Sequence, residues 1–170
     1  MAIEIVDYDE NWPLKYVAEA NEIRNIIIND IISIYHIGST AIKGIRARAM
    51  IDILIVVKET IAIDELIEQL EKLNYSYYEE NKKCYFLKKK DDSFCLYLFY
   101  EEQVCEIEKY LAVSLYLKEH HETTVEYMRV KETYAKKYLN NKYYQEKEKF
   151  FNKIEKDACI WYQSKNIHVA

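Results

Sequence analysis

Glycine occurs only twice in this 170-residue chain and proline once. The backbone freedom that tight turns demand is therefore concentrated in one place, and the remainder is expected to form long regular elements. Gly38 and Gly44 lie six positions apart within residues 36–57, HIGSTAIKGIRARAMIDILIVV. Glycine takes positive φ at little steric cost and lets other groups approach the backbone closely. Directly downstream, residues 50–57 read MIDILIVV, a β-branched run with the length and composition of a buried strand. Asp52 interrupts it. A carboxylate in such a strand must be solvated at a strand end, paired, or bound to a cation. The stretch thus predicts a Gly-Ser turn facing a lone strand carboxylate.

Half of the residues are apolar and 31% are charged, a globular balance far from disordered compositions. At this length one domain, residues 1–170, buries roughly 70% of its unfolded surface. A net charge of −5 and a pI near 5.5 argue against a general nucleic-acid binder. Cys84, Cys95, Cys105 and Cys159 have no CxxC spacing and no paired histidines, so a zinc site is not expected. Cys84 and Cys95 fall in strand-like segments and read as small core residues. No apolar run reaches the roughly 18 residues that mark a candidate membrane span. The N-terminal MAIEIVDYDENW lacks a basic n-region and an apolar h-region. The expectation is a cytoplasmic protein with reduced thiols and no membrane partner.

In chain order, residues 3–6 read as a short edge strand or extended lead-in. Asp9 and Pro13 mark a helix start, with Leu14, Val17, Ala18, Asn21 and Ile27 expected on its packed face over 12–28. Residues 31–37 form a strand ending at Gly38-Ser39, and the basic segment 40–49 is partly helical. An amphipathic helix over 60–73 presents Ile63, Leu66, Ile67, Leu70 and Leu73. A strand at 75–78 and a hairpin of 83–89 with 94–100 follow, then helices over about 106–119, 123–139 and 140–164. His120 and His121 are expected in a solvated connection. Tyr144, Phe150, Phe151, Ile154, Ala158 and Trp161 are expected in the core. The plan is α+β: a mixed β-sheet flanked by helices, with a helical C-terminal half.

Several of these segments carry a family likeness. His36-Ile37-Gly38-Ser39-Thr40, Gly44, Ile51-Asp52-Ile53 and Tyr8-Asp9-Glu10-Asn11-Trp12 are joined by Glu126-Tyr127…Lys131 and Tyr144…Lys147…Phe150…Ala158…Trp161. Together, over about residues 4–162, they resemble the GrpB family of the nucleotidyltransferase-like superfamily. The resemblance implies a nucleotidyltransferase-like fold, in which a Gly-Ser turn precedes a helix and an Asp-bearing strand. The chemistry such a pattern serves is nucleotidyl transfer. Turn N–H groups and a hydroxyl hold phosphate oxygens, and carboxylates hold Mg²⁺ or Mn²⁺.

The chain departs from that pattern at polar positions. The strand motif D-x-D is Asp52-Ile53-Leu54 here, and a later His-x-His is Cys95-Leu96-Tyr97. An Arg-Asp pair before Tyr-Leu corresponds to Ser114-Leu115. Glu101 and Glu102 supply further ligands only if their strand end lies beside Asp52.

The candidate catalytic residues are Asp52 and Ser39, with Asp52 as the metal ligand. His36, Gly38, Ser39, Thr40, Arg48 and Tyr97 form the candidate ligand set. A structural reading stands beside each. Asp52 pairs with Arg46 or Arg48, His36 is a satisfied strand histidine, and Tyr97 is packing. Two functions remain open. One is a protein that binds a nucleotide or another phosphorylated small molecule through a degenerate metal site. The other is a metal-dependent transferase moving a nucleoside monophosphate to an unidentified acceptor.

Overall fold

Two β-branched segments, β1 (Ile31–Ile37) and β2 (Ile51–Val57), pair antiparallel and start the sheet. The computed structural model describes residues 4–80, 84–137 and 141–165. Upstream lie α1 (Trp12–Ile26) and an isolated bridge from Val6 to Ala47. After β2 come α2 (Ile63–Glu71), β3 (Tyr75–Glu80), β4 (Tyr85–Lys89) and β5 (Phe94–Tyr100). β5 returns parallel to β2 with Asp52 beside Cys95, and the sheet order is β1-β2-β5-β4-β3. Helices α3 (Val104–Glu119), α4 (His121–Lys137) and α5 (Asn141–Ser164) complete the chain. Residues 3, 83 and 138–140, where element ends were expected, lie outside the described residues, as does the side chain of Tyr144.

Strand alternation divides the core. Ile51, Ile53, Ile55 and Val57 join Leu96 and Leu98 against Ile23 and Ile27 of the first helical region and Leu66 and Leu70 of α2. The opposite face carries Ile37, Leu54, Val56 and Phe99 against Ile107 and Leu111 of α3. With both faces covered, Ile53, Leu54 and Ile55 are wholly buried, as a central strand beside a parallel neighbour requires. A third cluster ties the turn to the C-terminal helices. Ile42 and Ile45 pack with Val113, Leu117, Tyr127 and Ile154.

The expected packed face over 12–28 is largely incorrect: Ile27 is buried as expected, but Ala18 and Asn21 are exposed. Leu14 and Val17 are 68% and 51% exposed, whereas Trp12, Glu19, Ala20 and Ile23 are buried. A charged residue sets this orientation. The Glu19 carboxylate accepts from the Tyr75 hydroxyl at 2.8 Å and from Lys89 Nζ at 2.7 Å. A count of apolar residues alone cannot place Glu19 on the buried face. The boundary between the next two long helices also differs. Only His120 separates α3 from α4, and Thr124, expected near the cap, lies inside α4 and donates its hydroxyl to the Leu117 carbonyl. His120 is half-buried rather than solvated, with its ring 3.8 Å from Tyr116 and 5.4 Å from Trp161. His121 is exposed. Among the described residues no helix is long and apolar enough to cross a membrane.

Breaking a buried pair leaves one partner uncompensated. Glu19→Ala is therefore expected to lower unfolding free energy by roughly 3 kcal/mol, whereas Leu14→Ser changes it by less than about 0.5 kcal/mol. Urea unfolding of both variants checks this, and equal effects would refute the orientation of α1.

Candidate functional site

The antiparallel register places Ile37 opposite Asp52. Gly38, the residue that leaves β1, sits against Asp52, the second residue of β2. Gly38 has φ +71° and ψ −168°, a region essentially restricted to glycine. A Cβ at this position would overlap Asp52 Oδ2 and lie 3.1 Å from the Asp52 Cβ and Cγ. Glycine is needed here twice, for its conformation and for the carboxylate lying over it. The chain then enters a short 3-10 turn, Ser39–Ala41. Gly44, at φ +82°, has open space around it and serves the turn alone.

Asp52 and Ser39 share two adjoining cavities. The larger, about 510 Å³, opens between the sheet and the C-terminal helices and is lined in part by Phe86, Tyr97, Tyr110, Ser114, Lys147 and Phe151. The smaller, about 220 Å³, holds Arg48, Lys131 and Lys147 together with Ser39, Asp52 and Tyr97. Tyr97 donates its hydroxyl to Asp52 Oδ1 at 3.2 Å. Burial pushes the Asp52 carboxyl above its usual range, while Lys147, Arg48, the Tyr97 hydrogen bond and Lys131 pull it down. Burial first, and then Asp52, raise the Tyr97 hydroxyl further above its ordinary value, so it stays a donor.

Lys131 is the most constrained cation. Only 3% exposed, it donates to Ser39 Oγ at 2.9 Å and to the Arg46 carbonyl at 3.1 Å. It reaches the turn because Thr124, Tyr127 and Lys131 form the buried stripe of α4, at the three- and four-residue spacing of one helix face. Burial first, and then Lys147, push its pKa down to about 7 against the opposing pull of Asp52 and Glu132.

The remaining predicted residues divide between the two faces of the sheet. Arg48 and Thr40 line the smaller cavity; Arg48 also donates to the Met50 sulfur at 2.9 Å. His36 points to the other face, stacked on Tyr16 with ring centroids 4.8 Å apart. Its Nε2 hydrogen-bonds Thr40 Oγ1 at 3.0 Å. Burial, with Lys118 adding to it, pushes the His36 pKa down to about 4. His36 thus braces the turn from behind and lines neither cavity. Arg46 does not pair with Asp52; it binds Asp7 and Glu132, each at 2.9 Å.

The acids expected after β5 do not complete a metal site. Tyr100 pairs with Val57, at the far end of β2 from Asp52, and Glu101 follows there, with its N–H donating to the Val57 carbonyl. Five residue steps along the strand separate Asp52 from Val57, roughly 16 Å. Position 54, on the same face as Asp52, is a fully buried leucine. Among the described residues no three His, Cys, Asp or Glu side chains cluster as a metal site. A lone carboxylate amid Arg48, Lys131 and Lys147 does not fit a hard divalent cation, which takes several oxygen ligands. Reading the chain for acids overlooked Lys131 and Lys147 as site residues. The available signal was a lysine on an otherwise core-facing stripe of α4, and both lysines lay within the family likeness.

Residues 2–157 match the family described as GrpB protein. The chain belongs to the GrpB family. UPF0157 protein YqkA of Bacillus subtilis (strain 168) is 30% identical over 169 residues, covering 96% of this chain and 49% of that protein. UPF0157 protein BH1888 of Halalkalibacterium halodurans is 35% identical over 75 residues, 44% of this chain and 38% of its own length. This chain thus spans about half or less of these two curated relatives. The crystal structure of conserved protein GrpB from Enterococcus faecalis aligns with TM-score 0.87 and 26% identity, covering 94% of this chain and 99% of that one. A crystal structure of the Cid1 poly(U) polymerase with Mg 3′-dATP bound aligns with TM-score 0.53 and 15% identity, over 78% of this chain and 43% of that one. The GrpB fold here is therefore nucleotidyltransferase-like.

Gly38→Ala combines backbone strain with overlap on Asp52. A loss on the order of 3 kcal/mol is expected, measurable by urea unfolding; a loss below about 1 kcal/mol would show that the turn relaxes freely. Lys131 predicts a pH signature. Its folded pKa, about 7, lies below its ordinary 10.5, so between these values the unfolded chain holds more protons at this site and stability rises with pH. The difference in unfolding free energy between wild type and Lys131→Met should shift toward wild type as pH climbs through that window. A pH-independent difference would place the Lys131 titration elsewhere.

Proposed function

We propose that this GrpB-family chain binds a nucleotide or another phosphorylated small molecule in the paired cavities, without requiring a resident metal ion. Ser39, Arg48, Lys131 and Lys147 would hold the phosphate oxygens. The observation that carries the reading is Lys131, a buried lysine whose Nζ is held against the hydroxyl of a glycine turn. Burying a charge is costly unless it is paired, and the phosphate dianion is a strong acceptor for such groups. Three cationic side chains and one carboxylate line the smaller cavity, a balance that suits an anion rather than a cation. The fold shared with Cid1, crystallised with Mg 3′-dATP, adds support by analogy. A transferase would need a second carboxylate near Asp52, and Leu54 stands where the D-x-D pattern puts one.

The test is a thermal-shift panel of inorganic phosphate, pyrophosphate and nucleotides, with EDTA or with Mg²⁺ or Mn²⁺. It uses wild type, Lys147→Met and Asp52→Ala. An upward shift of roughly 5 °C at saturating ligand is expected for wild type in EDTA, and a smaller one for Lys147→Met. The absence of any shift with phosphorylated ligands would overturn the proposal. A shift that appears only with metal and disappears in Asp52→Ala would replace it with the transferase reading.

A further inference from the structure

Ser114, in the middle of α3, is 6% exposed and lines the larger cavity. Its Oγ is the one buried side-chain polar atom without a hydrogen-bond partner among the described residues. Buried polar atoms in folded proteins are nearly always paired, so a hydroxyl left open on a cavity wall points to a partner that arrives from outside. The cavity lining is largely apolar and aromatic, with Lys147 and Glu148 also on it. Phe86, Tyr97, Tyr110 and Phe151 contribute rings, and Val113 and Leu117 flank the hydroxyl on its own helix. These surfaces suit a flat ring that also carries a polar atom at its edge.

The two cavities share Ser39, Asp52, Tyr97 and Lys147, so a single molecule can occupy both. Its anionic end would lie by Lys131 and Arg48, and the other end in the aromatic-lined space.

We propose that Ser114 is a specificity-determining residue. In this proposal its hydroxyl hydrogen-bonds the polar edge of a heteroaromatic ring, the base of a nucleotide whose phosphate lies among the cationic side chains. This rests on the phosphate-binding reading above and adds to it the class of the second half of the ligand. A site that hydrogen-bonds a substrate atom discriminates by leaving that group unpaired when the wrong ligand enters. An apolar wall alone would accept any ring of suitable size.

The experiment is calorimetric titration of the full chain in metal-free buffer, comparing wild type with Ser114→Ala. The probes are nucleotides of the four common bases, with pyrophosphate as the phosphate-only probe. Alanine is the best helix former, and removing an unpaired hydroxyl leaves no new group unsatisfied. The ligand-free variant is thus expected to melt at or above the wild-type temperature. The expected result is a wild-type preference for one base, which the variant loses through a roughly tenfold weaker affinity for that nucleotide. Pyrophosphate binding should be unchanged.

If wild type binds pyrophosphate as tightly as every nucleotide, the base-reading inference fails while the phosphate reading stands. The inference fails in the same way if the variant keeps its base preference, or if it melts clearly below wild type in the absence of ligand. If neither pyrophosphate nor any nucleotide binds wild type, both readings fail.

Discussion

The contact between the Asp52 carboxylate and the Gly38 backbone is the constraint on which the site depends. It follows from one register, Ile37 opposite Asp52, in the antiparallel pair that begins the sheet. A side chain at position 38 would occupy the space of the Asp52 oxygen. A one-residue slip of β2 would send Asp52 to the face packed by α1 and α2. Register, glycine and carboxylate are thus one requirement expressed three times. Everything else at the site is arranged around the hollow that this contact leaves at the sheet end.

The C-terminal helices close that hollow and decide its charge. α4 brings Lys131 onto Ser39, α5 contributes Lys147, and the loop after the turn contributes Arg48. The larger cavity is built from side chains that also make the core on that face of the sheet, where Phe99 and Leu54 are wholly buried. Leu54 extends the packing inward at the position where a second carboxylate would otherwise be placed. Lys131 and Lys147 then bring positive charge to this hollow from far along the chain, beside Arg48 from the loop after the turn, and under the proposed function that charge meets phosphate oxygens.

Much of the architecture was readable from local pattern. The β-branched run at β2, the alternation in β5, the turn between β4 and β5 and the amphipathic face of α2 each rest on short-range periodicity, which survives folding unchanged. Most of the face of α1 was not readable, since Glu19 lies on its buried side, paired with Tyr75 and Lys89 from two strands of the distant sheet edge. Among the candidate ligand residues, Ser39, Gly38, Arg48, Thr40 and Tyr97 border the two cavities. His36 instead supports the turn from the opposite face, since strand alternation directs it toward Tyr16.

The amino-acid sequence alone determined the turn, the strand that carries Asp52 and the family likeness, because two glycines and a β-branched run leave the backbone few alternatives. Only the tertiary structure decided which groups face Asp52. Lys131 lies 92 positions from the Ser39 hydroxyl it meets, and a pairing across that separation is encoded in helix packing rather than in any local spacing. The same holds for Ser114. A serine in a helix gives no indication of itself until the surrounding helices and sheet have paired every other buried side-chain polar atom described and left its hydroxyl open to the cavity.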